Sequence, residues 1–83
     1  MTTPALPIAD TILDLRGLAC PLPVLKANRR LRELGPGARL RVLATDRAAP
    51  GDFTAFCRET GHRLISVGEE AGVFTFVIRR RED

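Results

Sequence analysis

"LDLRGLACPLPVLKANRR" occupies residues 13–30, and its apolar period changes part-way. In the slightly wider window "TILDLRG" (11–17), Ile12, Asp14 and Arg16 fall on one side. Leu13 and Leu15 fall on the other. This is the period of a short strand, closed by Gly17. From Pro21 onward the apolar residues Val24, Ala27, Leu31 and Leu34 recur at steps of three and four, with Leu25 widening the stripe. Lys26, Arg29, Arg30 and Glu33 lie away from it, so the segment reads as an amphipathic helix. Between the two periods stands Cys20-Pro21-Leu22-Pro23. Proline is favoured at the first position of a helix, where its missing N–H costs nothing and its φ is already helical. With Cys20 as N-cap, both prolines fall inside the first turn, where they are tolerated.

Working outward, "GPG" (35–37) ends the helix, and Gly35 suits the position just past it. "ARLRVLAT" (38–45) alternates as a second strand, with Leu40, Val42 and Ala44 opposed to Arg39, Arg41 and Leu43. Asp46 suits a cap for the helix that follows. "AAPGDFTAFCRET" (48–60) sets Phe53, Phe56, Cys57 and Thr60 at helical spacing. Pro50 and Gly51 must lie in its first turn, and Gly61 stops it. "HRLISVG" (62–68) and "GVFTFVIRRR" (72–81) alternate as strands around an "EEA" turn. The order βαβαββ predicts an α/β (α+β) two-layer sandwich: one four-stranded mixed sheet with two helices on one face. Residues 1–10, with Pro4 and Pro7 and no periodicity, read as a flexible tail before a single domain at 11–83.

The chain has 83 residues, 45% hydrophobic and 28% charged, which fits one small globular domain. A core this small needs every apolar face. The formal net charge of +3 favours acidic partners but is too modest to indicate direct nucleic-acid binding. There is no apolar run long enough to span a membrane. The N-terminus lacks the pattern of a signal peptide, so a cytoplasmic location is expected. Two cysteines in that setting read as free thiols rather than a disulfide.

The chemistry of the stretch lies in Cys20. At a helix entrance, backbone N–H groups and the dipole favour a thiolate. An effect of about 0.3–1 kcal/mol, up to ~2 when partly buried, predicts a thiol pKa lowered to roughly 7–8. Nothing like Cys-x-x-Cys is present, which argues against a dithiol oxidoreductase. A single sulfur that accepts a group and passes it on fits better, although a lone cysteine can equally be a small core residue. Arg16, Lys26, Arg29 and Arg30 form either a solvated helix face or a docking surface for an acidic partner. Cys57 reads as core and His62 as a strand-start residue. Two Cys and one His have no recognised zinc spacing, and neither a metal nor any other cofactor is expected.

The stretch resembles the TusA family of sulfur-carrier proteins, also called SirA-like, over about residues 11–81. Its hallmark, Cys-Pro-x-Pro at the start of the first helix, reads here Cys20-Pro21-Leu22-Pro23 within "LDLRGLA" and "VLKANRRLREL". "PG" at 36–37, "ATD" at 44–46, "DFTAFC" at 52–57 and "TGH" at 60–62 add later landmarks. The resemblance implies a two-layer α/β sandwich and a sulfurtransferase-type carrier. Cys20 would hold a sulfane sulfur as a persulfide, with Pro21 and Pro23 shaping its site. The implied partners are a sulfur-donor protein, such as a cysteine desulfurase or a rhodanese-like protein, and a sulfur acceptor. The implied pathways include tRNA thiolation and sulfur oxidation, and the expected state is a monomer. Leu22 stands where tRNA-thiolation members typically carry an acid, and Arg47 where many relatives have proline. The alternatives from other classes are a small regulatory or RNA-binding module and a redox-sensing thiol.

Overall fold

A computed structural model describes residues 11–82. The elements are β1 (Thr11–Asp14), α1 (Leu22–Glu33), β2 (Arg39–Ala44), α2 (Ala49–Thr60), β3 (Arg63–Glu70) and β4 (Val73–Arg79). The four strands form one mixed sheet in the order β1-β2-β4-β3. β1 runs parallel to β2, with Leu13 opposite Val42, and the other two pairings are antiparallel. The element order and the sheet-and-helix layering agree with the sequence reading. The tail assigned to residues 1–10 lies outside the described residues.

Strand alternation decides which side of the sheet the helices cover. Leu40, Val42 and Ala44 of β2 are wholly buried, as are Phe76 and Ile78 of β4. The helices meet this face through Ala27 and Leu31 of α1 and through Ala49, Phe53, Phe56 and Cys57 of α2. Phe53 stacks on Phe76 with ring centroids 4.6 Å apart and stands edge-on to Phe56 at 6.3 Å. The opposite face carries Arg39, Arg79 and Arg63 in one cross-strand row and Ile12, Arg41, Val77 and Ser66 in the next. β3 absorbs a register shift between Leu64 and Ser66.

Several local expectations are corrected. Leu25 does not widen the buried stripe but is 56% exposed, and Pro23 takes its place in the core-facing set. The helix axis points the stripe of residues 23, 27 and 31 at the sheet, and Leu25 lies off that face. Gly35 is not the left-handed residue after α1, because Leu34 ends the helix in an extended conformation. The left-handed residue is Gly37 (φ 81°), and Ala38 N–H donates to the Gly35 carbonyl at 3.1 Å. Proline second and a positive-φ glycine third is the signature of a type II turn over residues 35–38. The β3–β4 turn is also displaced: Glu69 and Glu70 belong to the strand, and the turn residues are Ala71 (φ 52°) and Gly72 (φ 80°). Two successive positive φ values match a two-residue turn whose twist suits the hairpin. Gly61 does end α2, at φ 85°, with its N–H on the Cys57 carbonyl.

Phe53 is 0% exposed and touches both layers. Phe53→Ala is expected to cost about 3–5 kcal/mol, read as a lower urea midpoint with an unchanged m-value.

Candidate functional site

The loop from β1 to α1 is built by short-range bonds. Leu18 N–H donates to the Leu15 carbonyl across a turn in which Gly17 has φ 84°. Leu22 N–H then donates to Ala19, and Leu25 N–H to Pro21 at 3.1 Å. That last bond opens the helical ladder, so Pro21, at φ −98° and ψ 13°, is the N-cap. This corrects the expectation that Cys20 caps the helix. Cys20 stands one residue earlier, joined to Pro21 by a cis peptide, and Pro23 is the second helical residue.

Long-range bonds tie the loop to the end of β2. Leu15 N–H donates to the Leu43 carbonyl at 2.8 Å, and Gly17 N–H to Thr45 Oγ1 at 2.9 Å. Cys20 N–H donates to Asp46 Oδ2 at 2.5 Å. The other oxygen of Asp46 accepts from Ala48 N–H at 3.2 Å. Asp46 therefore does more than the capping role expected of it. It precedes the α2 N-cap, Ala48, by two residues and clamps the two loops together. The N–H groups of Cys20 and Ala48 hold its carboxyl below the usual carboxylate range.

The Cys20 side chain is exposed and free. It borders a shallow groove of about 230 Å³ lined by Cys20, Pro21, Val24, Asp52, Ala55, Phe56 and Glu59. Asp52, in the first turn of α2, lines the same groove, and its carboxylate favours the protonated thiol. It is the main reason the thiol lies above its ordinary value, with desolvation and the charge of Asp46 acting in the same direction. The thiol lowered to roughly 7–8 by the helix dipole is thus corrected. Cys20 stands one residue before the cap, off the helix end that the dipole argument assumed, and neighbouring negative charge favours the protonated form.

The other candidates are scattered. Arg16 is folded onto Asp14, with Nη2 at 2.7 Å from Oδ2, and holds that carboxyl down at about 2. Lys26, Arg29 and Arg30 lie together on another side of α1, around a cleft of about 490 Å³ shared with Leu13, Leu25 and Glu33. Arg30 pairs with Glu33 at 2.9 Å. Cys57 is buried in the core, and burial pushes its thiol up to about 11. His62 is half-buried at the start of β3, where its Nδ1 accepts from Arg81 N–H at 3.0 Å. Burial, Arg81 and Arg80 lower its pKa. Among the described residues no group of three or more His, Cys, Asp or Glu is placed to hold a metal ion. No helix among them is long and apolar enough to cross a membrane.

Comparison with known proteins decides the family. The profile of Sulfurtransferase TusA matches residues 11–80. This chain belongs to the TusA family. It is 54% identical over 69 residues to a candidate sulfur carrier protein of Neisseria meningitidis, covering 83% of this chain and 93% of that one. It is 43% identical over 74 residues to the sulfur carrier protein TusA of Pseudomonas aeruginosa, covering 89% and 94%. Among solved structures, the SirA-like protein of Desulfitobacterium hafniense superposes with a TM-score of 0.76 at 26% identity. That match covers 87% of this chain and 99% of the other. The match spans Cys20 of the Cys-Pro-x-Pro motif, and beside it the structure places Asp52, which the sequence reading passed over. An acid in the first turn of a helix ordinarily reads as a partner of the helix dipole. Only the packing of α1 against α2 brings this one to the sulfur.

A neutral alkylating reagent should modify one thiol in the native protein, at Cys20, and reach Cys57 only on unfolding. The Cys20 rate should still be climbing as pH passes the ordinary thiol value. A plateau by pH 8 in stopped-time mass spectra would contradict the raised thiol.

Proposed function

We propose that this TusA-family chain carries sulfane sulfur as a persulfide on Cys20 and relays it between a donor protein and a downstream acceptor. The observation that carries the reading is an exposed, free thiol at the entrance of α1, within the family's Cys-Pro-x-Pro motif. The family relation supplies the sulfur and the geometry supplies the access. Cys57, buried in the core, is poorly placed for a partner to reach.

The transfer balances without an oxidant. Cys20 Sγ attacks the terminal sulfur of the donor's persulfide. The donor's sulfur–sulfur bond breaks, and its electron pair leaves with the donor's own sulfur. The proton given up by Cys20 ends on that thiolate. A thiol and a persulfide become a persulfide and a thiol, and the onward step repeats the exchange with the acceptor. Pro21 and Pro23 shape the approach: Pro21 borders the groove, and Pro23 is buried beneath the first turn. The donor is a cysteine desulfurase or a rhodanese-like protein. Leu22 stands where tRNA-thiolation members typically carry an acid, which turns the reading away from that branch.

Lys26, Arg29 and Arg30, with exposed Leu25 lining the same cleft, form the docking surface for an acidic partner. Charge on such a surface mainly raises the rate of encounter. Arg16 contributes less, being already committed to Asp14.

Incubation with a persulfide-bearing donor should add sulfur to the wild type and to Cys57→Ala, and none to Cys20→Ala. Intact-protein mass spectrometry before and after a reductant reads this directly. Loading that survives Cys20→Ala, or no loading from any donor, would remove the proposal. Lys26→Glu combined with Arg29→Glu should slow loading roughly tenfold at low salt, with the difference narrowing as salt is raised.

A further inference from the structure

The groove beside Cys20 has an uneven charge. Its floor is Val24, Ala55 and Phe56, and its charged groups are Asp52 and Glu59. These two carboxylates lie seven residues apart on α2, two turns along one side of the helix. Asp46 approaches from the β2–α2 loop. No cation lines the groove, and among the described residues neither Asp52 nor Glu59 has an ion pair. The nearest helical cations, Lys26, Arg29 and Arg30, line a different cleft of α1. Arg16 is held by Asp14.

Asp46 holds the cysteine's backbone N–H, and Asp52 lines the groove beside its thiol. A carboxylate so placed repels a thiolate and favours the neutral thiol. The nucleophile in sulfur exchange is the thiolate. The free protein therefore points its sulfur outward while holding it in the form that reacts least.

We propose that Asp52 is a positioning residue that keeps Cys20 as a quiet, aimed thiol in the free carrier, and that a partner switches the sulfur on by bringing a lysine or arginine against Asp52. The switching step rests on the carrier reading above; the hold that Asp52 exerts on the thiol does not. A cation seated between Asp52 and Glu59 would take the carboxylate away from the thiol and supply the positive charge that a thiolate needs. The thiol proton then leaves with the donor's departing sulfur, as the exchange already requires. A carrier built this way is protected from stray oxidants and electrophiles between partners, because those also consume thiolate.

The test uses the full chain and two readouts. The first is the pH profile of Cys20 alkylation by a neutral haloacetamide, for wild type, Asp52→Asn and Glu59→Gln, with circular dichroism confirming the fold of each. Asp52→Asn should move the profile to lower pH and react about three- to tenfold faster at pH 7. Glu59→Gln, two turns from the sulfur, should move it far less. Superimposable wild-type and Asp52→Asn profiles would overturn the role of Asp52, whether or not the protein carries sulfur. The second readout is persulfide loading from a donor protein. The switch requires the excess reactivity of Asp52→Asn over wild type to shrink when the donor protein replaces the haloacetamide. An equal excess with both reagents would overturn the switch. Failure of the wild type to load from any donor would instead remove the carrier reading, leaving the alkylation result standing.

Discussion

The parallel pairing of β1 with β2 fixes the geometry on which everything else depends. Parallel strands place their C-terminal ends at the same edge of the sheet. Here that edge receives both loops that enter helices, one after Asp14 and one after Ala44. The bonds from Leu15 to Leu43, Gly17 to Thr45 and Cys20 to Asp46 continue the pairing past the end of the sheet. Both helices then start at this pole and run back across the same face. A cysteine placed just before the first helix is thereby delivered beside the start of the second. One bond pattern thus gathers Cys20, Asp46 and Asp52 from three separate parts of the chain.

At that pole two electrostatic effects of opposite sign compete for one sulfur. The entrance of α1 offers positive potential, worth up to ~2 kcal/mol in a partly buried setting and less at an exposed one. The carboxylates of Asp52 and Asp46 oppose it, and the thiol lies above its ordinary value. The same reasoning separates the two cysteines: both thiols are raised, Cys57 by burial alone and Cys20 by partners it can exchange. A group held by burial stays inert until the fold opens. A group held by an exposed carboxylate answers to whatever binds that carboxylate.

Much of the architecture was legible in the sequence because alternation and helical spacing were strong where burial is deep. Leu40, Val42 and Ala44 read as an inward strand face and are wholly buried. Phe53, Phe56 and Cys57 read as the inner face of a helix and are buried together. The errors fall where a local rule had two solutions. Cys20-Pro21 fits a cap followed by a first helical residue, but the ladder begins on the Pro21 carbonyl, and the cap moves by one. Gly35 and Gly37 both suit a left-handed position, and the turn through Pro36 chose the second. The dipole at a helix entrance is a property of one helix and can be read from the chain. The carboxylate that opposes it belongs to another helix, and no pattern in residues 13–30 contains it. The loop contact of Asp46 was closer to reach, since a parallel crossover already implies that the ends of β1 and β2 meet.

The pole opposite the sulfur is held by consecutive arginines just past β4. Arg80 Nε donates to the Leu31 carbonyl at 3.0 Å, and Arg81 donates to the Thr60 carbonyl. Each guanidinium thus meets the C-terminal end of a different helix, where free carbonyls and the negative end of the dipole welcome a cation. The chain leaves the sheet at the one place from which it can fasten both helices. This divides the molecule into a clasped end that secures the fold and an open end that carries the exposed sulfur. Substitutions around the sulfur can then reshape that surface while the clasp preserves the frame.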